Sequence, residues 1–111
     1  MKLPNYRDVV VSGNKIAGYL LSLSHPVGRS KAQFFLGFGF RPDKGDVLIQ
    51  ALKEHAAHEV SRTEPSPFGM RYIIDGALNT PDGRDPLVRT VWFIETGKDL
   101  ANFVTAYPFQ N

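Results

Sequence analysis

The stretch Met70-Arg71-Tyr72-Ile73-Ile74-Asp75-Gly76-Ala77-Leu78, followed by Thr80-Pro81-Asp82-Gly83 and Val88-Arg89-Thr90-Val91-Trp92-Phe93-Ile94, decides the fold. Met70, Tyr72, Ile74 and Leu78 alternate with Arg71, Ile73, Asp75 and Ala77. That period of two is expected of a strand, whose successive side chains leave opposite faces. Pro81 pre-sets φ and Gly83 is free to turn left-handed, so Thr80–Gly83 reads as a tight turn. A strand from about Pro86 to Thr96 returns from it, with Leu87, Arg89, Val91 and Phe93 on one face and Val88, Thr90, Trp92 and Ile94 on the other. Gly97-Lys98-Asp99 turns the chain again, and Asn102 to Tyr107 is the last strand, with Phe103, Thr105 and Tyr107 expected on one face. Residues Glu59 to Glu64 supply an edge strand.

Upstream the period is helical. Ile16, Tyr19, Leu20 and Leu23 fall at i, i+3, i+4 and i+7, the stripe of a buried helix face, over about Asn14 to Leu23. Ser12 or Asn14 would cap it. Ser24-His25-Pro26-Val27-Gly28 breaks the helix, Ser30 would cap a second one from Lys31 to about Leu36, and Gly37 to Pro42 ends that. Asp46 would cap a third, whose stripe is Leu48, Ala51, Leu52 and His55. Residues Asp8 to Ser12 read as a short strand or an extended lead-in. The expected fold is α+β in a single domain, residues 1–111: about three N-terminal helices, then a mainly antiparallel sheet of about four strands with the helices on one face.

A 42% apolar fraction in 111 residues supports one core and excludes disorder as the main state. Cysteine is absent, which removes disulfides, thiol nucleophiles and thiolate metal sites. The first residues lack the apolar core of a signal peptide, and no run approaches a membrane span. A soluble cytoplasmic protein without membrane contact is the expectation. A net charge of +2 permits nucleic-acid binding without arguing for it, so the placement of the cations matters.

The cations cluster at Ser24-His25-Pro26-Val27-Gly28-Arg29-Ser30-Lys31. There a titratable imidazole, a guanidinium and an ammonium surround a helix start whose free N–H groups suit a phosphate or carboxylate. Arg29, Ser30 and Lys31 are the candidate anion-binding residues. The plainer reading is a connector with solvated charges and His25 bonded to a nearby carbonyl. Thr105 and Tyr107 offer hydroxyls from the last strand, although both are also ordinary strand formers. Arg89, amid apolar neighbours, is placed to grip an anion or to keep a wet rim. Trp92 reads as a core anchor and the run Phe34, Phe35, Phe38, Phe40 as packing. His55 and His58 have the spacing to share a metal, but the rest of a zinc-hydrolase constellation is missing and no metal is expected. Asp82 and Asp85 read as turn residues. No phosphate-binding glycine loop, dinucleotide fingerprint or Gly-x-Ser-x-Gly elbow is present.

His25-Pro26-Val27-Gly28-Arg29-Ser30-Lys31-Ala32-Gln33-Phe34-Phe35, then Gly39-Phe40, Gly76-Ala77-Leu78, Thr80-Pro81-Asp82-Gly83-Arg84, Val88 to Ile94 and Val104-Thr105-Ala106-Tyr107-Pro108 together resemble the signature of a small bacterial domain family of unknown function. Domains of this kind occur alone or at the C-termini of toxin-like proteins. The layout, an early His with basic residues and a closing Thr-x-Tyr, is also similar to the barnase–EndoU–colicin–RelE group of ribonucleases. That resemblance implies cleavage of RNA by its own 2′-OH to a 2′,3′-cyclic phosphate, without metal or cofactor. His25 would move a proton, Arg29 or Lys31 hold the phosphate, Arg89 oppose growing charge, and Thr105 and Tyr107 position it. With a single histidine so placed, the second proton-transfer group falls to Tyr107, Lys31 or water. A dedicated inhibitor or antitoxin would be the protein partner. A non-catalytic binding module of antitoxin, immunity or adaptor type, or a small phosphate binder, is the alternative.

Overall fold

A four-stranded antiparallel sheet in the order β1-β2-β3-β4 carries the structure, a computed structural model that describes residues 1–109. The strands are β1 (Val60–Ser66), β2 (Gly69–Ala77), β3 (Leu87–Glu95) and β4 (Asn102–Pro108). Helices α1 (Gly13–Lys15, continued by a π-turn over Ile16–Leu20), α2 (Arg29–Gly37) and α3 (Gly45–His55) precede them. Short 3-10 turns occupy Tyr6–Asp8 and Pro42–Lys44. The α+β layout expected from the sequence is the one observed. Among the described residues, no helix is long and apolar enough to cross a membrane.

The helices cover one sheet face. Ile74, Val88, Trp92, Phe103 and Ala106 meet Ile16, Leu20, Phe35, Leu48 and Leu52 there, all of them buried. Burial of each large side chain in this layer contributes about 1.5–3 kcal/mol. Trp92 is fully buried and its ring meets Phe103 edge-on at 5.4 Å.

Inside this apolar layer lies a closed polar network. Trp92 Nε1–H donates to Thr90 Oγ1 (2.8 Å), and Thr90 Oγ1 lies 2.9 Å from His55 Nδ1. His55 Nε2 faces the carbonyl oxygens of Gly76 (3.0 Å) and Val88 (2.9 Å). Carbonyls only accept, so Nε2 carries the proton and Nδ1 accepts from the threonine hydroxyl. Every member is satisfied, and no buried side-chain N or O among the described residues lacks a partner. Burial lowers the His55 pKa from 6.5 to about 4, overriding the carbonyl bonds that favour protonation.

Local details depart from the sequence expectation for identifiable reasons. The first helix does not run to Leu23: Leu21 N–H bonds Ile16 O, a π-turn spacing, and Leu23 stays exposed. None of Ser12, Ser30 and Asp46 makes a capping bond; α2 begins at Arg29 behind Gly28, and α3 at Gly45 behind Lys44. In β4 the alternation breaks, because the register shifts where Val91 pairs with Thr105 but Trp92 with Phe103. Val104 is the extra residue of this bulge. Phe103 and Ala106 therefore both enter the core, and Thr105 and Tyr107 lie on the opposite face with Val91 and Arg89.

The free edge of β4 is closed by the N-terminal segment. Val10 bridges Asn102 in parallel, with Val10 N–H on Ala101 O and Phe103 N–H on Val10 O, both at 2.9 Å. Lys15 Nζ then donates to Val104 O at 3.1 Å. The Thr80–Gly83 turn forms as expected, with Gly83 at φ 77°. It also clasps α2, since Arg84 Nη2 donates to Gly37 O (2.7 Å) and its guanidinium lies 4.2 Å from the Phe38 ring centre.

The His55 network sets a stability profile. A neutral ring held in the fold loses its advantage as the unfolded chain protonates, so stability is complete above pH 6.5 and falls toward pH 4, by about 3 kcal/mol. Urea unfolding at pH 7 and pH 4 measures this, and His55→Gln removes the loss in that window; an unchanged slope in the variant refutes the assignment. Thr90→Val, which strands the Trp92 donor and the His55 acceptor, lowers stability at pH 7 by about 3 kcal/mol in the same assay.

Candidate functional site

At the closed β4 edge, side chains from three elements converge. Lys31 Nζ, on α2, donates to Tyr19 Oη at 2.5 Å and to Thr105 Oγ1 at 2.9 Å. The two hydroxyls lie 3.2 Å apart, which closes a triangle. The ammonium also sits 5.6 Å from the Tyr107 ring centre, and Lys15 lies 5.7 Å from that of Tyr19. Tyr19, Lys31, Thr105 and Tyr107 are half-buried, so the cluster is ordered yet reachable from solvent.

The charge balance activates the phenol. Burial acts to raise the Tyr19 pKa, but the hydrogen bonds from Lys31 and Thr105 and the charges of Lys31 and Lys15 outweigh it, so the pKa is lowered. The π-turn places this residue: an extra residue in the turn carries Tyr19 out of the core stripe, where Ile16 and Leu20 remain buried.

His25 stands next to Tyr19, ring centres 5.1 Å apart and nearly perpendicular. Its Nδ1 accepts from the backbone N–H groups of Val27 (3.1 Å) and Gly28 (3.0 Å). The imidazole therefore braces the loop before α2, as an acceptor for amides rather than a donor to a carbonyl. With Nδ1 engaged as an acceptor, Nε2 is the ring nitrogen left to carry a hydrogen and donate outward. Gly28 is held to glycine by packing, because a Cβ there would lie 2.6 Å from the Tyr19 carbonyl oxygen.

The remaining sequence candidates lie around this core. Arg29 and Ser30 are exposed on the first turn of α2. Arg89 pairs in register with Tyr107, yet its guanidinium makes a two-pronged contact with Asp75, Nε to Oδ1 at 2.7 Å and Nη2 to Oδ2 at 3.0 Å. Phe109 lies beneath it, 4.7 Å from ring centre to Cζ. The Arg89 bond holds the Asp75 carboxyl below its ordinary range against the effect of burial, and Ser61 adds a second donor. Arg89 is thus half of an ion pair at the margin of the site, not a loose anion clamp. His58 bonds the Ala77 carbonyl, and among the described residues no group of three or more His, Cys, Asp or Glu is arranged to hold a metal.

Tyr19 and Asp75 are the residues that sequence reading missed. Tyr19 sits in a helical apolar stripe and reads as core; its hydroxyl, in a row otherwise of Ile and Leu, is the signal that marks it. Asp75 reads only as one member of a strand set with Arg71, Ile73 and Ala77, and only the β2–β3 register, Asp75 opposite Arg89, gives it a partner.

Alongside the cluster runs an open cavity of about 850 Å³, lined by Tyr19, His25, Lys15 and Thr105 and by neighbouring residues before α2 and along α1 and β4.

The fold recurs in a chain of the "Contact-dependent growth inhibition toxin - immunity protein complex from Klebsiella pneumoniae 342". That chain superimposes with a TM-score of 0.73 over 96% of this chain and 97% of its own length, at 16% identity. At that identity the likeness is one of fold. No curated protein matches the sequence. A family model described as a domain of unknown function, DUF6883, matches residues 2–110, and the chain belongs to that family.

Proposed function

We propose that this domain is a toxin-type ribonuclease that works without metal, with Tyr19, Lys31 and Thr105 at its centre. The observation that carries the reading is the Lys31–Tyr19–Thr105 triangle, of which Tyr19 and Thr105 line an open cavity. RNA brings its own nucleophile, so the protein needs a proton acceptor, a proton donor and groups that meet phosphate charge. Tyr19, with its lowered pKa, takes the 2′-OH proton as a phenolate. The 2′ oxygen attacks phosphorus, the bond to the 5′ oxygen breaks, and Lys31 gives that oxygen its proton. The products are a 2′,3′-cyclic phosphate and a 5′-hydroxyl. The proton gained by Tyr19 then returns to Lys31 across their 2.5 Å contact, which resets both groups.

Thr105 and the Nε2–H of His25 supply neutral donors to the phosphate oxygens. Arg29 and Ser30, exposed on the first turn of α2 just before Lys31, would meet flanking phosphates, Tyr107 supports Lys31, and Arg89 with Asp75 orders the sheet below Tyr107. This moves the proton-transfer role from His25, whose Nδ1 is occupied, to Tyr19 and Lys31. The toxin setting and a dedicated inhibitory protein partner are suggested by the neighbouring fold, which belongs to a toxin–immunity complex. An immunity or adaptor role is the competing reading.

The test is cleavage of total RNA and tRNA in EDTA, with end-group analysis. The parent should leave cyclic phosphates, and Tyr19→Phe and Lys31→Met should each cut about 10²-fold more slowly or less. A folded parent that leaves RNA intact, or variants that cut as fast as the parent, defeats the proposal and brings the immunity or adaptor role forward.

Activity should rise with pH as Tyr19 deprotonates, levelling off below the pH at which a free phenol ionises. His25→Asn keeps an acceptor where Nδ1 stands and removes the Nε2 donor. It should fold like the parent and lose about tenfold in rate, as one hydrogen bond of about 1.4 kcal/mol implies; full activity would confine His25 to bracing the loop.

A further inference from the structure

The cavity beside the triangle has contents that phosphoryl transfer alone does not require. Its volume of about 850 Å³ falls in the range of roughly 300–1,000 Å³ typical of small-ligand sites. No carboxylate lines it, whereas Lys15 does, so it favours an anionic ligand over a cationic one. Val10 and Val27, 42% and 68% exposed, are among the exposed large apolar side chains of the molecule, and both face this one cavity. Asn14 and Asn102 add two exposed primary amides, each able to donate and accept. Gly18 opens the wall: a Cβ built there meets nothing within 4 Å.

We infer that this cavity is a nucleobase subsite of the ribonuclease proposed above, taking the base of an unpaired nucleotide next to the scissile phosphate. The valine side chains offer apolar surface to the face of a base, and the Asn amides address its edge, where single-stranded RNA is read by hydrogen bonds. Asn side chains pair two-pronged with adenine, so the subsite prefers adenine over the pyrimidines. Lys15, held by Val104 O and lying against Tyr19, sits between the base and the reacting phosphate. The inference rests on the ribonuclease reading and assigns the specificity of that same site to Asn14, Asn102 and the space at Gly18.

The test uses trinucleotides with 2′-O-methyl riboses, which bind but cannot be cut, differing in the central base, together with sequencing of the ends left on tRNA. Three proteins are compared: parent, Gly18→Leu, which fills the cavity from a position with open space, and Asn102→Ala, whose backbone pairing stays intact. Thermal midpoints establish that all three fold. The parent should bind the adenine trinucleotide at least tenfold more tightly than the uracil one. Gly18→Leu should lose at least tenfold of that affinity, and both variants should flatten the base distribution at the cut. Equal binding of all trinucleotides by the parent, or the same preference in parent and Gly18→Leu, overturns the subsite. A parent that cuts with a preference indifferent to both variants overturns it while leaving the ribonuclease standing. Base-selective binding by a parent that never cuts upholds the pocket and defeats the ribonuclease.

Discussion

The four-stranded sheet ends at β4, whose outer edge has, among the described residues, no fifth strand of the sheet to pair with. An edge strand leaves a row of unpaired backbone groups that must be covered or blunted. This chain does both at once: Val10 bridges the start of the strand, Lys15 takes the Val104 carbonyl, and the bulge at Val104 breaks the ladder. Those devices have a chemical consequence. The bulge turns Thr105 out of the core while Phe103 and Ala106 stay in it, and the covering segment delivers Tyr19 beside the rotated hydroxyl. The same residues that close the sheet thereby assemble the candidate site.

The two histidines at opposite ends of this arrangement show how environment divides one side-chain type into different tasks. His55 is buried with both ring nitrogens bonded and its pKa pushed down to about 4, which suits a neutral strut in the core. His25 is half-buried at a loop and uses one nitrogen to brace two amides, so the other remains as a directed donor. Neither ring is arranged as a free base. The tyrosine between Lys31 and Lys15 is the group whose environment favours losing a proton, which is why the proposed chemistry centres on it.

Much of the family signature resolves into structural work. Thr80-Pro81-Asp82-Gly83-Arg84 makes a turn whose Asp82 accepts from Thr80 and Arg84, and whose Arg84 ties the β2–β3 connection to the end of α2. Gly76 lets the His58 ring approach the strand, since a Cβ there would lie 2.6 Å from that ring. Val88 to Ile94 supplies Trp92 and Thr90 to the core network. By contrast Lys31, Thr105 and Tyr107 are half-buried and meet at the surface.

The order and kind of the elements were legible in the sequence, because the switch from a helical period to a period of two at about residue 60 is a local signal that each segment carries alone. The sequence also placed Trp92, Phe35 and Leu52 inside, and it singled out His25, Arg29, Ser30, Lys31, Arg89, Thr105 and Tyr107 as candidates, of which Lys31 and Thr105 touch and Tyr107 lies against the same ammonium. Tertiary structure decided what periodicity cannot express. A single extra residue at Val104 reverses which face Phe103 presents, and a π-turn in place of an α-turn moves Tyr19 from the core stripe to the site. It also decided the partners: Asp75 for Arg89 is set by strand register, and two loop amides for His25 by a turn around Pro26. The bulge and the ion pair depend on strands distant in sequence meeting in one register, whereas the π-turn and the His25 brace are local, each turning on a choice of backbone hydrogen bond that residue periodicity does not specify.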